Sequence, residues 1–249
     1  KRLNTDYVDL FQFHQVAQEK DREAIYAPGG AMEAALAAQQ AGKVRFIGVT
    51  SHSIPMAMKL IRTGDFISVQ FPFNFIETEA ADELHPLARE LGVAIIGMKP
   101  FAGGAITDAS LAFKFLRSHA DLFPIPGYDS VESVEQVVSF YDAPNSASEK
   151  DFEEMAKVKA ELGGEFCRRC EYCQPCPFGV AITGSMIYPL LASRMSPKVA
   201  SNFAAANLDT VPNCTECGVC VTRCPYTLPI PAMLKKHYEL YLEHRNAKE

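Results

Sequence analysis

CRRCEYCQPCP at Cys167–Pro177 and CTECGVCVTRCP at Cys214–Pro225 hold all eight cysteines of the chain. The spacing is Cys167-x2-Cys170-x2-Cys173-x2-Cys176, then Cys214-x2-Cys217-x2-Cys220-x3-Cys224, each run closed by a proline. The second run has the full spacing of bacterial two-cluster ferredoxins, and the first is one residue short before its last cysteine. Eight thiolates in two such runs are the ligand count for two [4Fe–4S] clusters. In that scheme three cysteines of one run and the last cysteine of the other share a cluster. Cys167, Cys170, Cys173 and Cys224 are thus expected around one, and Cys214, Cys217, Cys220 and Cys176 around the other. The two runs must then fold as one unit.

Two plainer readings compete. A zinc site takes four ligands in a tetrahedron, usually from separated CxxC pairs. Four cysteines at x2 spacing in one loop suit a cuboidal cluster better. A disulfide framework belongs to short secreted domains that lack a core. This chain has 249 residues and is 48% hydrophobic, enough to bury a full core and to form two domains.

The net charge is −6 with acids and bases interspersed, which excludes the basic face of a general nucleic-acid binder. The uncharged stretch Gln174–Ser193 has the length of a membrane span. Pro175, Pro177, Pro189, Gly179 and Gly184 interrupt it, so it reads as a wall over a cluster, with no membrane span. No signal peptide is visible, and a cytoplasmic location is expected. The chain begins at Lys1 without methionine and with a helix-like start, which predicts a segment upstream.

Ahead of the polar linker Asp142–Glu149 (DAPNSASE), strand-like and helix-like runs alternate. Strands are predicted at Val8–Phe13, Val44–Val49, Phe66–Phe71, Val93–Met98 and Leu122–Ile125. Their apolar runs are continuous, as in strands covered on both faces. Helices are predicted at Ala31–Ala41, Ile54–Ile61, Thr78–Leu91, Ala109–Ser118 and Val131–Phe140. Gly42 and Gly92 are placed as C′ glycines, and Asp129 with Glu132 as a capping box. Five βα units of a parallel sheet follow. They are too few to close a (β/α)₈ TIM barrel of ~250 residues. The fold is therefore an open doubly wound sheet or a barrel whose first three units lie upstream, and the start at Lys1 favours the barrel.

The predicted boundary puts a barrel-like domain at 1–145 and an α-helical ferredoxin-like domain at 146–249. The second contains a charged helix near Lys150–Leu162 stopped by Gly163-Gly164. Short helices follow near Ser185–Met195 and Pro197–Ala206. Pro231 then opens a final helix, Ala232–His244, with Met233, Leu234, Tyr238, Tyr241 and Leu242 on its apolar side.

Barrel chemistry sits where strands end. Those points carry His14, then Thr50-Ser51-His52, Gln70 with Asn74, Met98-Lys99, and Gly127. His14 directly follows an apolar strand, where an imidazole serves as general acid–base or packs on a loop. His52 reads as a loop histidine. Lys99 binds an anion, acts as a base or forms a salt bridge. The turn Pro126-Gly127-Tyr128-Asp129 offers backbone N–H groups to a phosphate at a helix start. No Lys or Arg lies between Arg117 and Lys150, however. His85 and His119 read as packing or surface residues.

KRLNTDYVDL (Lys1–Leu10) running into His14, GKVRFIGVT (Gly42–Thr50), VQFPFN (Val69–Asn74), MKPFAGG (Met98–Gly104) and Ile125-Pro126-Gly127 together resemble the fourth to eighth strands of an aldo/keto reductase. The tail resembles the iron–sulfur extension of one branch of that family. The resemblance implies a (β/α)₈ barrel that binds NAD(P)H at its strand ends and transfers hydride to a carbonyl. His14 then matches the catalytic histidine, and Thr50, Ser51 and Gln70 the residues that hold the nicotinamide amide. Met98 stands where an aromatic residue usually stacks on the ring. Lys99 and Gly127 complete the candidate cofactor set. The family's Tyr, Asp and Lys partners belong to earlier strands. Ser133 and the pair Gln136-Val137 stand where the residues for the adenosine 2′-phosphate are expected, so NADP recognition is not supported.

These expectations describe an oxidoreductase acting on a small-molecule substrate at the barrel mouth, with clusters serving a redox protein partner or assembly. Hydride transfer moves two electrons and needs no cluster. The rival from another class is a non-catalytic electron-transfer or scaffold subunit with a degenerate barrel site.

Overall fold

The computed structural model describes residues 4–163, 165–224 and 226–247. They fall into two compact units, 1–159 and 160–249. The expected helical start at Lys1, the stop residue Gly164 and the run-closing Pro225 lie outside the described residues.

In the first unit the predicted strands form β1 (Val8–Phe13), β2 (Val44–Thr50), β3 (Ser68–Pro72), β4 (Ala94–Met98) and β5 (Leu122–Ile125). All neighbours pair in parallel, in the order β1-β2-β3-β4-β5. A doubly wound sheet reverses its order at a switch point, whereas barrel strands add in sequence. The sequential order therefore selects the barrel arrangement over the open sheet.

Helices α1 (Glu19–Tyr26), α2 (Ala31–Gln40), α3 (Ile54–Ile61), α4 (Leu84–Glu90), α5 (Ala109–Leu116) and α6 (Val131–Ser139) connect and follow the strands. Helix α1 has no sequence counterpart: its mean hydropathy is low and it buries no residue, so it has no apolar stripe to read. The outward strand residues Phe13, Ile47, Val49, Val69, Phe71 and Ile95 bury against Met56, Leu60, Ile61, Leu84 and Leu116 in one core. Gly42 and Gly92 adopt φ of 71° and 66°, the left-handed turn that ends α2 and α4.

Three local expectations are corrected. The expected helix Thr78–Leu91 is a 3-10 turn, Glu79–Ala81, followed by α4, whose first turn holds Pro86 and so lacks one N–H donor. The capping box on the fifth expected helix is formed by Ser130 and Ser133, not by Asp129 and Glu132. Each serine side chain meets the other's backbone N–H, which puts the helix start one residue later. The linker 142–149 stays with the first unit: Asn145 donates to the Lys114 carbonyl, and Lys114 pairs with Asp151 at 2.8 Å on α7 (Glu149–Gly163).

The second unit is helical. Helices α8 (Ile182–Met186) and α9 (Tyr188–Ala192) replace the single helix expected over Ser185–Met195. Pro189 sits in the first turn of α9, where its missing N–H is tolerated. Helices α10 (Pro197–Leu208), α11 (Val219–Arg223) and α12 (Ile230–Asn246) complete it. Helix α12 buries Met233, Leu234, His237 and Tyr241 against Tyr188, Ala204 and Leu208. Leu242 is exposed, and His237, not expected on the inward side, is buried.

Candidate functional site

Two sets of residues converge, one at the C-terminal ends of the strands and one around the cysteines.

At the strand ends, β1 stops at Phe13 and the chain turns at Gln15, whose φ is 54°. The Gln15 N–H donates to Thr50 Oγ1 at 2.7 Å, and the Val16 N–H to the Thr50 carbonyl at 2.9 Å. Ser51 Oγ donates to the Val16 carbonyl at 2.7 Å and accepts from the Ser53 N–H at 3.1 Å. Thr50 and Ser51 are both buried. The pair expected to hold an amide ligand thus fastens the turn after β1 to the end of β2. His14 sits on this fastened turn, exposed, with no hydrogen bond or ring contact engaging it among the described residues.

Behind the turn, a polar chain crosses the face of the sheet opposite the helical core. Gln12 Nε2 donates to Gln70 Oε1 at 2.8 Å, and Gln70 Nε2 lies 3.5 Å from Met98 Sδ. The chain spans β1, β3 and β4 because Gly48 of β2 lies between Gln12 and Ser68 in register. A Cβ at Gly48 would stand 2.2 Å from Ser68 Oγ, so any side chain there must displace that hydroxyl. Gln12 Oε1 and Ser68 Oγ are buried without partners among the described residues. Sequence reasoning missed Gln12. Its signal was a polar residue inside an apolar strand run, two positions before His14.

Asn74 and Lys99 form the next rim. Asn74 Oδ1 accepts from the N–H groups of Ile76 and Glu77 at 2.9 Å each, and Nδ2 donates to Glu77 Oε2 and to the Lys99 carbonyl at 3.0 Å. Asn74 is therefore a buried turn-former rather than a group open to a ligand. Lys99, at φ 57°, extends Nζ to 3.3–3.4 Å from both ring nitrogens of His52. Gly127 is exposed, with nothing within 4 Å of an added Cβ, so neither conformation nor packing demands glycine there. His85 is buried against Phe73 at 4.6 Å, with His119 4.9 Å from the same ring. Both are packing residues, as the sequence suggested.

In the second unit the cysteines ring two neighbouring cavities. One is lined by Cys167, Cys170, Cys173 and Cys224, with Arg168, Glu171, Thr183 and Tyr226. The other is lined by Cys214, Cys217, Cys220 and Cys176, with Glu216 and Phe178. Cys173 and Ile182 belong to both walls, and Phe178, Val180, Ile182 and Met186 come from the uncharged stretch. Among the described residues no three His, Cys, Asp or Glu side chains converge as a single tetrahedral ion requires. Burial pushes the Cys173 thiol up to about 11 and raises Cys170 and Cys220. A metal centre takes thiolates as ligands, so its binding at Cys170, Cys173 and Cys220 would release their protons. Arg169, in the loop between the first two cysteines, keeps Nε and Nη2 buried with no partner among the described residues. Buried guanidinium nitrogens beside cysteines that line one cavity fit an anionic cluster. No helix among the described residues is long and apolar enough to cross a membrane.

Comparison with known proteins finds one family match in each unit. Residues 1–112 match the aldo/keto reductase family, and residues 166–229 match a 4Fe-4S dicluster domain. The chain is 27% identical over 158 residues to an uncharacterized oxidoreductase, YrpG, of Bacillus subtilis (strain 168), an overlap of 61% of this chain and 45% of that one. It is 33% identical over 127 residues to a versiconal hemiacetal acetate reductase of Aspergillus parasiticus, covering 49% of this chain and 35% of that one. The chain thus spans less than half the length of these curated relatives. An aldo-keto reductase from Klebsiella pneumoniae solved with NADPH superposes with a TM-score of 0.53 at 18% identity, over 64% of this chain and 61% of that one. The fold of the first unit is that of an aldo-keto reductase TIM barrel, represented by five consecutive βα units.

Proposed function

Because the chain joins an aldo/keto reductase domain to a 4Fe-4S dicluster domain, we propose that it belongs to an iron–sulfur oxidoreductase acting on a carbonyl, an alcohol or a related small molecule, with electron transfer through two [4Fe–4S] clusters. The observation that carries the reading is the crossed lining of the two cavities. The first cavity combines three cysteines of one run with the last of the other, and the second combines Cys214, Cys217 and Cys220 with Cys176 and the shared Cys173, which fits two-cluster ligation. When bound, such clusters supply one-electron capacity, and a dinucleotide supplies hydride.

The residues of the chain divide the remaining work. His14 is the proton-handling group: its imidazole is exposed at a strand end, on a turn held by Thr50 and Ser51. Lys99, beside His52, brings positive charge to the same edge, where negative charge develops on a reduced carbonyl oxygen. Gln70 and Met98 form the surface for a nicotinamide ring. Cys167, Cys170, Cys173 and Cys224 hold one cluster, and Cys214, Cys217, Cys220 and Cys176 the other.

One observation favours the non-catalytic reading. Thr50, Ser51 and Gln70 already spend their polar atoms inside the protein. Fluorescence titration with NADH and NADPH separates the two. Binding of NADH, with less than about a hundredfold preference for NADPH, is expected, since that preference needs roughly 2.7 kcal/mol and no cation lies between Arg117 and Lys150 to provide it. Binding of neither nucleotide supports the electron-transfer or scaffold role. Anaerobic protein should contain about eight iron and eight sulfide per chain; stoichiometric zinc without iron overturns the cluster reading.

A further inference from the structure

We infer that Arg168 tunes one of the two clusters, raising the reduction potential of the one at Cys167, Cys170, Cys173 and Cys224 and leaving the other unaffected. This rests on the reading that each cavity holds a [4Fe–4S] cluster.

The two cavities differ in their charged walls. Arg168 lines the first and is 8% exposed, a rare state for an arginine. Its guanidinium lies 3.9 Å from the centroid of the Tyr226 ring, and Nη1 donates to the Phe166 carbonyl at 3.5 Å. Tyr226 lines the same cavity two residues after the ligand Cys224, so the platform and a ligand share one short segment. Thr183 lines the same cavity, its hydroxyl buried with no partner among the described residues. The ligand loop Cys167–Cys173 carries Arg168, Arg169 and Glu171, a net charge of 2 − 1 = +1. The loop Cys214–Cys220 carries only Glu216, a net −1, and Glu216 is exposed. Arg223 is exposed too and bonds the Pro175 carbonyl, lining neither cavity.

A cluster gains one negative charge when it takes up an electron. A fixed cation and hydrogen bonds to its sulfurs stabilise that added charge, and these are the levers that set iron–sulfur potentials. Arg168 acts strongly because it is buried, where its field is poorly screened. Exposed Glu216 and Arg223 are screened by water.

The test is a redox titration followed by electron paramagnetic resonance, on protein whose iron and sulfide content has first been measured. Arg168→Gln should lower one midpoint and leave the second in place. The signal that moves should be the one altered in Cys224→Ser. Arg168→Lys should restore most of the shift, which loss of packing alone would not allow. Tyr226→Leu, which removes the platform and frees the guanidinium toward water, should lower the same midpoint, and it decides the question if Arg168→Gln does not load clusters. Equal movement of both midpoints, or of neither, overturns the assignment. Iron and sulfide well below two clusters per chain would instead defeat the underlying two-cluster reading before any titration.

Discussion

Gln15 and Thr50 are joined by one hydrogen bond, backbone N–H to Oγ1 at 2.7 Å, which fastens the turn carrying His14 to the end of the neighbouring strand. Thr50→Val keeps the shape and removes the acceptor. It should lower stability by about 1 kcal/mol, the net worth of such a bond, while Thr50→Ser should cost less. Urea denaturation measures both. An unchanged midpoint in Thr50→Val would show that the hydroxyl is free for a ligand.

His14 sits exposed on that turn, without a partner among the described residues, and should matter for turnover, not for folding. As a proton-handling group it should contribute on the order of 10²–10⁴ in rate. His14→Ala should cut kcat accordingly, with Tm and the cluster spectra unchanged. A large fall in Tm with activity per folded molecule retained would make His14 a packing residue.

Gly48 admits the polar chain from Gln12 to Gln70 because it has no side chain. Gly48→Ala should destabilise by roughly 1–3 kcal/mol, since the new methyl meets Ser68 Oγ at 2.2 Å within a buried face. Removing that oxygen with Ser68→Ala in the same chain should recover part of the loss. Thermal melts of the single and double variants give the coupling.

Burial lowers the His85 imidazole to about 4; the nearby charges of Arg89 and His119 push the same way, and Asp121 opposes them. The unfolded chain therefore binds a proton near pH 6.5 that the folded chain refuses until about pH 4. Stability from this group is complete above pH 6.5 and falls as the pH drops toward 4. The loss between pH 7 and pH 5 should be about 2 kcal/mol. Denaturation at the two pH values should show a smaller difference in His85→Gln. An equal difference would assign the acid sensitivity elsewhere.

The crossed lining of the cysteine cavities makes a prediction of its own. Cys224 is the last cysteine of the second run but lines the cavity of the first. Cys224→Ala should disturb the cluster at Cys167–Cys173, seen as loss or conversion of one signal. Disturbance confined to the cluster of Cys214–Cys220 would reverse the assignment.

Much of this was legible in the sequence because the signals are local. Apolar runs gave the five strands, two of them to the residue, since a run of strand-forming apolar residues is a local signal. Cysteine spacing gave the cluster loops for the same reason: ligand spacing along the chain is itself the chemistry. Helix α1 and the break between α8 and α9 were not legible. One has no apolar stripe, and in the other a single proline decides where one turn ends.

By itself, then, the sequence determined the parallel βα units, the helical cysteine-bearing unit and the strand ends where polar residues gather. Only the tertiary structure decided the strand order, and with it barrel over open sheet, because pairing between strands is set by contacts remote along the chain. It also decided that Thr50, Ser51 and Asn74 bond to neighbouring backbone, and that Gln12 reaches Gln70 across Gly48. The same hydroxyl or amide reads identically in one dimension whether it faces a ligand or a turn. What separates the two is the hydrogen-bond partner that folding brings within 3 Å, and buried polar groups take such partners wherever the fold supplies them.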